Sequence, residues 1–144
     1  MKSVKQTFQI ISYLQYPFMI LGLLFTFKML YEVKYLGLKE LFYPNLNTAL
    51  VFLGVGVSFA SLQDVTKTQN NFSKKIWKSK RKGKLVLLSL TLFIFLLFVF
   101  GGIGYFGSEN KVLNELSIGM IVFGIGLMGM LKGAIEMYEY NQLT

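Results

Sequence analysis

Between positions 64 and 84 the chain carries Lys67, Lys74, Lys75, Lys78, Lys80, Arg81, Lys82 and Lys84 against a single acid, Asp64, and long apolar stretches flank this segment on both sides. Almost the whole of the formal net charge of +8 therefore lies in one connection. Loops rich in Lys and Arg are retained on the cytoplasmic face of a membrane, so this loop fixes the side on which every other connection must lie. The composition agrees: 53% of residues are hydrophobic and 15% charged, against about 25% charged in a soluble domain. A pI near 9.7 would point to nucleic acid if the charge covered a globular surface. Confined to one loop it is accounted for by topology, and no nucleic-acid partner is expected.

The apolar stretches are 10–31, 46–62, 85–106 and 112–131. A hydrocarbon core of about 30 Å, crossed at about 1.5 Å per residue, takes about 20 helical residues. The first, third and fourth stretches are long enough and the second is marginal. The expected fold class is all-α: residues 1–144 form one transmembrane domain, a four-helix bundle of two hairpins oriented N-in/C-in. Lys2 and Lys5 fall inside with the basic loop, whereas the connections 34–45 and 107–111 are nearly balanced in charge. Pro17 lies near the inner end of the first span, where a kink costs least. The basic start and the apolar run after it also fit a signal peptide. The run is long, however, and the first alanine is Ala49, so no small-residue cleavage site follows and the segment reads as a retained span. A membrane β-barrel needs strands of about ten residues alternating apolar and polar, and no segment alternates in that way.

Cysteine and histidine are both absent. Disulfides, thiolate catalysis and the usual ligand sets for zinc, haem and iron–sulfur clusters are thereby excluded, so no metal, no cofactor and no enzymatic activity are expected. The carboxylates all fall at predicted interfaces: Glu32, Glu40, Glu109 and Glu115 at the outer one, Asp64, Glu136 and Glu139 at the inner. An ion- or proton-coupled transporter keeps an acid near the bilayer midplane, and none is expected there. Lys28 lies one turn before Glu32 and close enough to the outer surface to snorkel.

Small residues form the sharpest pattern. Gly119, Gly126 and Gly133 recur every seven residues with Gly129 among them, and Asn47, Gly54 and Ser61 repeat the spacing on the second span, with Ser58 on the same face and Gly56 beside it. Lipid gives helices no hydrophobic reason to associate, so close backbone approach has to do it, and glycine permits that approach. These faces are expected to be buried, either within the bundle or against a partner or a pore. The Phe- and Leu-rich first and third spans are expected to face lipid, the third without any seam. A shift of 70 residues sets Gly54 and Gly56 over Gly124 and Gly126, as a duplicated two-helix unit would.

Within the basic loop Phe72, Ile76 and Trp77 are interleaved with cations, so a helix there would lie at headgroup level. Lys74, Lys75, Trp77, Lys78, Lys80, Arg81, Lys82 and Lys84 are its candidate contacts to anionic lipid. Asp64, Lys132 and Glu136 end two spans running in the same direction and form a candidate ion pair at the inner interface. Fourteen lysines to one arginine is the usage of an AT-rich, bacterial genome, which makes the expected location a bacterial inner (plasma) membrane. The expected function is that of a non-enzymatic accessory or scaffolding subunit of a larger membrane complex, with membrane lipids and other subunits or copies of itself as partners. A homo-oligomeric channel or transporter for a small solute is the alternative, and a lysis pore or bacteriocin immunity protein a further one.

Overall fold

The computed structural model of the protein describes residues 2–64, 71–107 and 109–143, and the regular structure among them is helical throughout. Helix α1 spans Lys2–Ser12, α2 Gln15–Tyr35, α3 Phe42–Ala60, α4 Asn71–Lys78, α5 Lys80–Phe106 and α6 Lys111–Leu143, and a 3-10 turn, Lys39–Leu41, leads into α3. Four segments are long and apolar enough to cross a membrane: Val4–Tyr35, Lys39–Ala60, Lys80–Phe106 and Lys111–Leu143. This is the architecture of a multi-pass membrane protein. Lys67 of the basic loop lies outside the described residues.

Local chemistry sets the helix ends. Pro17 has no N–H to give to the carbonyl of Tyr13, which instead receives Tyr16 N at 3.2 Å, and the break between α1 and α2 falls at Tyr13 and Leu14. Gly37, at φ +67, takes the left-handed conformation just beyond α2, and the amides of Leu36 and Leu38 both donate to the carbonyl of Glu32. Ser79 is extended and its hydroxyl accepts from Lys82 N, capping α5. Asn110 does the same for α6, its Oδ1 accepting from Val112 N at 3.0 Å and Leu113 N at 3.3 Å.

Two helices outrun the apolar stretches read as spans. Ahead of the 46–62 stretch, α3 begins at Phe42, and Pro44 sits within its first turn, where its missing N–H costs nothing. Beyond the 112–131 stretch, α6 runs to Leu143, and its 33 residues give it a length of about 50 Å, well beyond a hydrocarbon core.

The four long helices lie in a row. Helix α2 packs on α3, α3 on α6, and α6 on α5, and no comparable packing joins α2 to α5. The expected bundle is therefore open rather than closed into a ring. Glycines close the α3–α6 contact, while stacked rings such as Phe18 on Phe59 and Phe25 on Phe52 fill the space between α2 and α3. Position numbers rise together along α3 and α6, where Asn47 meets Gly119 and Ser61 meets Gly129, so these two helices are parallel. Within the first hairpin Gly22 meets Leu53 and Gly56 meets Met19, so α2 and α3 are antiparallel.

Candidate functional site

The α3–α6 seam brings together most of the small residues that the sequence singled out. Gly54 is so close to α6 that a Cβ there would lie 2.7 Å from Phe123 Cα, and Gly126 abuts the backbone of Gly54 in turn. Asn47 Oδ1 accepts from Gly119 N at 2.6 Å. Gly129 lies against Ser61, whose hydroxyl donates to the carbonyl of Ser58, and Ser58 donates to the carbonyl of Gly54. Gly133 is buried. Gly56 packs on a different neighbour: two residues further round the helix than Gly54, it faces Met19 and Gln15 of α2.

The same two-residue offset does not fit a register of 70 residues between the two hairpins. Gly54 faces α6, but Gly124, its supposed equivalent, faces Phe98 of α5; Gly56 faces α2, but Gly126 faces α3. Two residues turn a helix by about 200°, so the matched glycines point at different neighbours.

Helix α5 has a seam that sequence reasoning missed. Gly83, Ile94, Gly101 and Gly104 are buried. A Cβ at Gly101 would come within 2.8 Å of Ile121 Cγ1, and Gly104 lies against the backbone of Leu113. The signal was present as the i, i+3 pair of Gly101 and Gly104 in an otherwise bulky run.

At the end opposite the basic loop, Asn45 Nδ2 donates to Glu32 Oε2 at 2.5 Å and joins α3 to α2. Lys28 Nζ stands 3.7 Å from Glu32 Oε1; its side chain is 56% exposed against 12% for Glu32, so the lysine reaches outward while the carboxylate turns in.

At the basic end, Asp64, Lys132 and Glu136 line one open cleft of about 670 Å³ between the end of α3 and the last turns of α6, with Lys5 and Phe8 of α1 on its rim. Lys132 Nζ pairs with Glu136 Oε1 at 3.7 Å on its own helix. Both groups are largely exposed, so the pair contributes little to stability.

On the opposite face of α6, helix α4 covers a second cavity of about 330 Å³. Met19 from α2, Val57 and Ala60 from α3, and Met130, Ala134 and Met137 from α6 form its walls. Ser73 and Trp77 form its roof, the indole Nε1 donating to Ser73 Oγ at 2.9 Å. Within the expected lipid-contact set Trp77 differs from the cations: its side chain is turned inward and the residue is 8% exposed, while Lys74, Lys75, Lys78, Lys80, Arg81, Lys82 and Lys84 are exposed. The amphipathic pattern of α4 explains the division: Ser73 and Trp77 lie one turn apart on one face and the lysines on the other. The extension of α6 holds α4 in place, with Gln142 Nε2 donating to the carbonyl of Trp77 at 2.7 Å and to that of Lys78 at 3.3 Å. Gly83 of α5 closes against the ring of Tyr138.

Comparison with protein-family models, with curated proteins and with solved structures finds no match to this chain.

Proposed function

We propose that the protein is a non-enzymatic component of a bacterial plasma membrane, oriented N-in/C-in with the basic loop in the cytoplasm, and that it serves as an accessory or scaffolding subunit of a larger membrane assembly. The observation that carries this reading is the open row of helices. Its two edges, α2 and α5, present Leu23, Leu24 and Phe27 on one side and Leu88, Leu92 and Phe95 on the other, all more than half exposed. In a bilayer such faces meet lipid or the helices of another subunit, and the row puts one at each end.

The channel reading draws less support. Its candidate lumen residues, Asn47, Ser58 and Ser61, are engaged within the chain, and the α3–α6 seam is closed by backbone contact at Gly54 and Gly126. A pore would have to be lined by a different face.

Purification in mild detergent tests the proposal. A second membrane protein at fixed stoichiometry is the expected result, and a monomer carrying no other chain overturns it. Proteoliposomes containing the protein alone are expected to pass small solutes no faster than empty vesicles.

A further inference from the structure

We propose that the cavity beneath α4 holds an acyl chain of one anionic phospholipid, whose phosphate lies among the cations of α4 and the first turn of α5. This site does not depend on the subunit reading.

Depth is the first argument. The cavity runs from Met19 and Val57, within the apolar stretches of α2 and α3, up to Trp77 on α4, which precedes the apolar part of α5 beginning at Leu85. It therefore spans the boundary between hydrocarbon and headgroups, where a phospholipid has its own change from chain to charge. The chemistry of the walls is the second. They are apolar apart from Ser61, Ser73 and Trp77, and the indole N–H is already used by Ser73, so the interior offers water few of the two to four partners it needs. Met19, Met130 and Met137 are unbranched and adapt to a flexible chain.

Charge selects the headgroup. Lys74, Lys75, Lys78, Lys80, Arg81, Lys82 and Lys84 are exposed around the roof, and no acid occurs between positions 71 and 84. A zwitterionic lipid would leave that field uncompensated; an anionic one complements it.

Trp77 is the only tryptophan in the chain, so its fluorescence reports this site. The full-length protein is reconstituted into phosphatidylcholine vesicles containing a small fraction of phospholipid brominated on its acyl chains, either phosphatidylglycerol or phosphatidylcholine. Brominated phosphatidylglycerol is expected to quench Trp77 at a much lower fraction than brominated phosphatidylcholine. Lys74→Gln is expected to raise the required fraction about fivefold, as the loss of one cation near an anionic headgroup implies. Ala134→Phe, which fills the cavity, is expected to abolish the preference, and inorganic phosphate is expected to leave quenching unchanged.

Equal quenching by the two lipids, an unaltered preference in Ala134→Phe, or reversal by inorganic phosphate would overturn the site, the last by showing a free-anion site instead. Because Ala134→Phe can also unseat α4, native mass spectrometry of the unmodified protein gives a second reading. One retained phosphatidylglycerol from a mixed-lipid preparation is expected. Protein bare of lipid, or carrying both classes equally, overturns the proposal.

Discussion

Gly126 of α6 lies directly against the backbone of Gly54 in α3, so the two helices touch main chain to main chain at the middle of their parallel seam. A Cβ at position 126 would meet the Gly54 carbonyl, which cannot swing aside as a side-chain terminus can. Gly126→Ala is therefore expected to cost about 1 to 3 kcal/mol through overpacking. Gly102→Ala, where nothing lies within 4 Å, is expected to be neutral or to stabilise by up to about 1 kcal/mol through helix propensity. Denaturation of the two variants in detergent checks the difference; equal effects would remove the seam.

The contact of Asn47 Oδ1 with Gly119 N joins the same two helices by a polar bond. Intramembrane bonds of this kind contribute about 1 kcal/mol, so Asn47→Ala is expected to destabilise by about that amount. Combined with Gly126→Ala, which acts one seven-residue repeat further along the seam, it is expected to be less than additive if both changes act by parting α3 from α6. A double-mutant cycle measures this.

Asn45 and Glu32 tie α2 to α3 at the other end by a bond to a charged acceptor. Such bonds contribute about 1.5 to 3 kcal/mol, and Asn45→Ala is expected to lose an amount of this order. Glu32→Gln keeps an acceptor but not the charge and is expected to lose less. Thermal unfolding of the two variants at equal detergent concentration reads the order, and the reverse order would rule out the Asn45 bond as the main tie.

Trp77 depends on α6 for its burial. Gln142→Ala removes both side-chain bonds to the end of α4, and Gly83→Val drives a branched side chain into the ring of Tyr138. Both are expected to shift Trp77 emission to the red, Gly83→Val more strongly. An unshifted spectrum in both would mean that α4 does not dock on the end of α6.

The absence of native cysteine makes single-cysteine labelling a clean test of the proposed orientation. Lys78→Cys is expected to resist an impermeant thiol reagent in intact cells and to react after permeabilisation. Glu109→Cys is expected to react in intact cells. The opposite pattern inverts the topology, and with it the assignment of α4 to the cytoplasmic leaflet.

The number and approximate position of the spans were legible in the sequence because hydropathy is a local property, and the stretches later occupied by α2, α3, α5 and α6 announce themselves residue by residue. So was the smallness of the seam, since glycine at a seven-residue spacing marks a face whatever it meets. Which neighbour each face meets was not legible. Gly54 and Gly56 are chemically identical and two positions apart, yet one closes on α6 and the other on α2. Only the placement of α2 and α6 on either side of α3 decides between them.

The same holds at the basic end. The sequence alone determined an all-helical chain of apolar spans with its positive charge gathered in one loop, because those follow from composition along the chain. The tertiary structure decided that the spans stand in an open row, that α6 continues past Lys132 as a polar helix, and that Trp77 turns away from the lysines beside it. The α3–α6 contact at the centre of the row and the burial of Trp77 rest on residues more than fifty positions apart, such as Gly119 with Asn47 and Gln142 with Trp77, and no local pattern encodes which distant surface will be there to receive a side chain.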